Sequence, residues 1–174
     1  MYHITLMVAS VWILALFLPP WLMAGGQMVG GVIGYQMFSI ICHQVPERSW
    51  QSQGFPLAVC SRCTAIYFGG LIGLLMYPLV VGFAARGADY AARTRRWLML
   101  STLPMLADVG LDWLGVIRNT FVTRTLTGLI VGVAAALHLY HLLVGAAAEW
   151  RLAGCQSTVS TGRLDRTGER NDDQ

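Results

Sequence analysis

Four long stretches of this chain are apolar almost throughout, and they constrain its fold more than any other feature. Residues 4–24, 64–85, 97–117 and 126–148 contain Asp108 and Asp112 as their only acidic or basic side chains other than histidine. Each meets the roughly 20 residues that a helix rising about 1.5 Å per residue needs to cross a hydrocarbon core of about 30 Å. The expected fold class is therefore all-α, an integral membrane bundle of four transmembrane helices. No positive region precedes the first run, and it is long for the apolar part of a cleaved signal, so it is read as a retained span. Residues 29–41 are apolar but short, with Gly30, Gly31 and Gly34 at their start. They predict an additional short interfacial or re-entrant helix rather than a fifth span.

Composition supports a membrane setting. Charged residues make up 12% of the chain and hydrophobic residues 55%, against about 25% charged in soluble domains. That excludes an ordinary water-soluble domain, and the hydrophobicity excludes a disordered chain. From Arg151 onward the apolar character collapses, so residues 1–150 are expected to form a single transmembrane domain followed by a disordered tail over 151–174. All twelve basic residues are arginine. Arg86, Arg93, Arg95 and Arg96, with Arg151, Arg163, Arg166 and Arg170 in the tail, place those segments and both termini in the cytoplasm of a prokaryotic plasma membrane by the positive-inside rule. Within the spans, the pairs Gly69/Gly73 and Gly128/Gly132 have the small-xxx-small spacing that lets helix backbones approach, so the second and fourth spans are expected to touch.

Chemistry concentrates between the first two full-length neighbours of the bilayer. Cys42 and His43 end the short helix, and Cys60-Ser61-Arg62-Cys63 precedes the second span. A Cys-x-x-Cys pair brings two thiolates to one ion, and Cys42 with His43 would complete a tetrahedral site of three sulfurs and one nitrogen, a donor set suited to structural zinc. Adjacent ligands diverge by about 100° on a helix. Both bind only if the helix ends between them, as Pro46 nearby favours; otherwise Glu47 or a water takes the fourth position. A second reading is thiol–disulfide exchange, since a helix N-terminus and Arg62 favour a Cys60 or Cys63 thiolate. A third is an inert disulfide in an oxidising compartment. Covalent c-type haem is disfavoured because Thr64, not His, follows Cys63.

Other polar residues lie in or beside the spans. Asp108 and Asp112 are one helical turn apart and share a face. Asp112 is expected to pair with Arg118 or Arg124, leaving the deeper Asp108 for a proton or cation role. Asp108, Asp112 and Arg124 are thus the catalytic candidates. His138 and His141 share a face of the fourth span and could approach Asp108. Arg48, Arg62, Arg118 and Arg124 could gather at one membrane face and bind an anionic headgroup or substrate. Without lysine no P-loop can be built, and no Gly-x-Ser-x-Gly elbow is present. Because topology disperses the arginines, no nucleic-acid partner is expected.

Ile41-Cys42-His43-Gln44, Pro46-Glu47-Arg48-Ser49, Cys60-Ser61-Arg62-Cys63-Thr64 and Ile66-Tyr67-Phe68-Gly69, with Pro104, Asp108, Asn119, Arg124, Thr127, Gly128 and Gly132 downstream, resemble a family of small prokaryotic multi-span membrane proteins classed as a domain of unknown function. The resemblance runs from about Tyr35 to Gly132; Ala65 stands where the family usually has Gly. It implies a membrane location and marks Cys42, His43, Glu47, Arg48, Cys60, Cys63, Asp108, Asn119 and Arg124, but implies no reaction or cofactor. The expectation is a membrane protein with a zinc site at Cys42, His43, Cys60 and Cys63. The alternatives are a thiol oxidoreductase using Cys60 and Cys63, or an accessory subunit with membrane-protein partners beyond the lipid bilayer itself.

Overall fold

The computed structural model describes residues 1–84, 90–116 and 118–168, with side chains described up to position 81 and between 90 and 150 apart from position 117. Arg86, the last residues of the second and third expected spans at 85 and 117, and the side chains of the expected tail, Cys155 included, lie outside the described residues. Five α-helices follow in order: α1 (Tyr2–Ala24), α2 (Met28–Ser39), α3 (Ser61–Ala84), α4 (Tyr90–Trp113) and α5 (Phe121–Gly168). Among the described residues, three helices are long and apolar enough to cross a membrane: Tyr2–Ala24, Ser61–Val81 and Phe121–Trp150. Helix α4 occupies the third expected span but is not among them. Arg93, Arg95 and Arg96 sit near its start and Asp108 and Asp112 near its end, which shortens its uncharged stretch. Many apolar side chains on the helices, such as Met7, Leu14, Leu103 and Leu126, stay exposed, an arrangement that lipid contact would stabilise.

Helix α1 carries Pro19 and Pro20 within it. Proline has no N–H, so the carbonyls four residues earlier lose their helical donor. The carbonyl freed by Pro20, that of Leu16, accepts the N–H of Ala58 at 3.4 Å, which docks the loop preceding α3 onto α1. Pro78 acts similarly in α3: the Leu74 carbonyl accepts the Tyr2 hydroxyl at 3.2 Å. A turn through Gly26, at φ +79°, folds α2 back on α1. There a Cβ at Gly34 would lie 2.8 Å from Pro19 Cγ, so only glycine lets the two helices come this close. At 12 residues, α2 is about 18 Å long, too short to cross a bilayer.

The expected meeting of small-residue faces is present. A Cβ at Gly128 would lie 2.7 Å from the Arg62 carbonyl, and one at Gly73 would lie 2.8 Å from that of Val133. These contacts set α3 against α5. Between α2 and α3 the all-α expectation missed a small hairpin, β1 (Gln51–Ser52) with antiparallel β2 (Phe55–Pro56). Its turn residues Gln53 and Gly54 both have positive φ, +54° and +85°, the backbone that matches a tight two-residue connection. A 3₁₀ turn, Pro46–Arg48, precedes it.

Residues Met1–His138 form one compact unit, and the chain from Leu139 forms a second. Helical backbone in the second unit continues to Gly168.

Candidate metal centre

The centre of the first unit is a cluster of Leu16, Phe38, Cys42, Ala58 and Val59, with Tyr35, Cys60, Cys63 and Tyr67 packed against it. Cys42 enters this core as α2 ends; its N–H donates to the Phe38 carbonyl at 3.1 Å. Cys60 sits at the start of α3, its carbonyl accepting the N–H of Thr64 at 2.9 Å and the Thr64 hydroxyl at 3.1 Å. Cys63 lies in the first turn of α3, three residues on, so it shares a face with Cys60. The two segments meet directly, the Cys60 N–H donating to Cys42 Sγ at 3.2 Å.

Gln44 holds this meeting in place. Its side-chain amide donates to the carbonyls of Tyr35 and Ala58, each at 2.7 Å. It therefore ties α2 to the residues just before Cys60. The backbone at Gln44 is left-handed, φ +50°, a costly conformation for a non-glycine residue. The Tyr35 hydroxyl adds a 2.5 Å bond to the Pro56 carbonyl, and burial raises its pKa.

The thiols of Cys42, Cys60 and Cys63 are all free and lie within 4.8 Å of one another. Sulfurs around a tetrahedral zinc, with Zn–S bonds of about 2.3 Å, stand roughly 3.8 Å apart. Small side-chain adjustments bring the three sulfurs to that spacing, so the donor set fits a soft-ligand metal site. His43 is exposed, and its ring nitrogens lie outside that 4.8 Å group. Cys42 turns into the core at the exit of α2, and His43 lines the cavity that the three cysteines also line. Glu47, the alternative fourth donor, is also exposed on the 3₁₀ turn and outside the group. A hydrogen bond from the Cys63 thiol, assisted by Cys42, lowers the pKa of Cys60 to about 5 despite burial.

A cavity of about 410 Å³ opens beside the thiols. The three cysteines line it together with Arg48, Arg62 and Arg124. Arg62 is ion-paired with Asp108 at 2.5 Å. Asp108, the deeper of the two acids, is thus half of a partly buried salt bridge, because Arg62 on the first turn of α3 reaches it. Asp112 lies 3.7 Å from Arg124, one of its two expected partners, and 3.8 Å from Arg48. It also accepts the backbone N–H of Asn119 at 3.2 Å. Arg118 is exposed and does not line the cavity. His138 meets Thr94 at 3.0 Å rather than approaching Asp108, and His141 belongs to the second unit.

Gln44 and Pro20 were missed as positioning residues by reasoning from the sequence. The signals were present: Gln44 adjoins Cys42 and His43, and a proline within a span always frees a carbonyl.

A family described as predicted membrane protein, DUF2085, matches residues 42–138, from the first of the three cysteines to the end of the first unit. The chain belongs to the DUF2085 family. The DUF2085 match covers every thiol, arginine and aspartate of the site described above, in agreement with the family resemblance read from the motifs. An uncharacterised protein of the archaeon Methanocaldococcus jannaschii is 29% identical over 143 residues, covering 79% of this chain and 89% of its own. Another uncharacterised protein, from Methanothermobacter thermautotrophicus, is 33% identical over 100 residues, or 58% of this chain and 85% of its own. No solved structure matches the chain.

Proposed function

We propose that this DUF2085 protein is a four-span prokaryotic plasma-membrane protein built around a metal centre, with zinc held by Cys42, Cys60 and Cys63. One observation carries the reading: three thiols from two segments separated by a long loop converge within 4.8 Å. Such a cluster of free, half-buried thiols has its natural explanation in a shared soft ion. The ion would pin the end of α2 to the start of α3. Three protein ligands leave one coordination position for water or an exogenous ligand, and a zinc ion with an open position supplies Lewis acidity. Positioning falls to this chain's own residues: Gln44 sets the Cys42 segment against Ala58, and the salt bridge to Asp108 orients Arg62 between the two α3 thiols. α4 completes the span count, with its charged end turned to Arg62, Arg48 and Arg124 rather than to lipid. The arginine distribution supports cytoplasmic termini.

Metal analysis of the purified chain tests the proposal. About one zinc per chain is expected, lost in Cys42→Ser and Cys63→Ser and retained in His43→Ala. Absence of metal in the parent protein overturns it. The lowered pKa of Cys60 favours a second reading, thiol–disulfide exchange with a membrane partner through Cys60 and Cys63. That reading requires a metal-free chain whose Cys60–Cys63 pair is reversibly oxidised. Thiol labelling from each side of the membrane tests the topology, and copurification tests whether the protein acts as a subunit with membrane-protein partners.

A further inference from the structure

We propose that the cavity beside the thiols binds a phosphate group through Arg48, Arg62 and Arg124, the phosphate being either a lipid headgroup or free in solution. The inference does not rest on the metal. Three guanidinium groups from three separate elements line one cavity of about 410 Å³. Arg48 comes from the 3₁₀ turn, Arg62 from the first turn of α3 and Arg124 from the first turn of α5. Among the described residues, Asp108 and Asp112 hold these arginines but do not themselves line the cavity.

The hydrogen-bonding capacity of the arginines is far from used. Arg124 is only 8% exposed, yet its nearest carboxylate oxygen is 3.7 Å away, beyond hydrogen-bond reach. Arg48 stands at 3.8 Å from the same carboxylate, so one aspartate serves two guanidinium groups. Arg62 bonds Asp108 through Nη2, while its Nε is buried without a partner. Buried donors without acceptors are rare in folded proteins and point to a missing ligand or water.

The ligand class follows from the geometry of the donors. Guanidinium forks match the oxygens of phosphate and carboxylate, but a carboxylate has two oxygens in one plane and phosphate presents acceptors in several directions. Donors arriving from three elements suit the second. The N-termini of α3 and α5 lie beside Arg62 and Arg124, and both ends favour an anion through their helix dipoles. Apolar Ile41 and Ile66 also line the cavity, compatible with an acyl chain beside a headgroup.

The test uses the full chain purified in a phosphate-free maltoside detergent and titrated calorimetrically with inorganic phosphate. A parallel arm measures binding of phosphatidylglycerol to the chain in discs of otherwise neutral lipid. Saturable binding in the first arm identifies free phosphate; saturable binding in the second alone identifies a headgroup. In either case Arg48→Gln and Arg124→Lys should each weaken binding roughly tenfold, the loss of one charge-assisted hydrogen bond. Arg124→Lys keeps the charge and removes the fork, and the exposed Arg48 can be replaced without disturbing the core. Arg118→Gln, outside the cavity, should bind like the parent. Binding in neither arm, or affinities unchanged in both variants, overturns the proposal. Zinc content measured on the same preparations separates this outcome from failure of the metal reading.

Discussion

Replacing Gln44 by leucine removes the two amide bonds that hold the Cys42 segment against the Cys60 segment while keeping a side chain of similar size. Each bond contributes about 1 kcal/mol net, and a buried carbonyl stripped of its donor costs more than the mean. Ala58 is fully buried, so its carbonyl gains no water in return. Together the two losses amount to about 2–4 kcal/mol, partly offset by the apolar surface that leucine buries. For a chain of this size, 1 kcal/mol corresponds to roughly 2–4 °C in Tm, so a fall of about 5–10 °C is expected. The assay is a thermal melt in detergent followed by tryptophan emission, since Trp12 packs edge-on against Phe38 and Tyr67 beside the thiols. Gln44→Glu sharpens the test. At neutral pH it sets a carboxylate, which only accepts, against two carbonyls, and should be worse than leucine; on acidification the protonated acid regains one donor and part of the loss returns. If the leucine and glutamate variants both melt within about 1 °C of the parent, the clasp is not what joins the two segments.

Three further outcomes are expected. Asp108→Asn leaves Arg62 charged in a site where the two side chains are only 19% and 12% exposed, at a cost of about 3 kcal/mol; the double replacement Arg62→Met with Asp108→Leu should lose less in the same melt. Gly128→Val drives side-chain atoms into the Arg62 carbonyl and should cost about 1–3 kcal/mol through overpacking, read as a lower melting temperature and faster amide exchange in the first turns of α3 and α5. In the metal-free chain, the lowered pKa of Cys60 means that its contribution to stability is complete above the ordinary thiol range and disappears as pH falls through about 5. Alkylation of Cys60 should accordingly persist at mildly acidic pH and fade near that value, and Cys63→Ala, which removes the principal cause, should move the midpoint upward.

Much of the architecture follows from local pattern. The apolar runs at 4–24, 64–85 and 126–148 coincide with α1, α3 and part of α5, and the short glycine-bearing run at 29–41 with α2. The spacing of Gly69, Gly73, Gly128 and Gly132 anticipated the meeting of α3 and α5, because the absence of a side chain on one helix face is visible without coordinates. Cys60 and Cys63 were legible as a pair for the same reason, being one turn apart. Their union with Cys42 followed from ligand chemistry.

Other features depended on distances that no local pattern encodes. Where His43 stands is decided by how α2 exits into the left-handed Gln44: it is exposed and lines the cavity that the thiols also line. The pairing of Arg62 with Asp108 depends on the rotation of α3 and α4 about their own axes, which packing sets. Sequence alone therefore determined the helices, the lipid setting and the candidate chemistry, all of which depend on residue type and spacing along one helix. Only the tertiary structure decided which side chains meet and which donors remain unsatisfied around the cavity, because those contacts join segments far apart in the chain and are selected by the packing of glycine faces and proline-freed carbonyls.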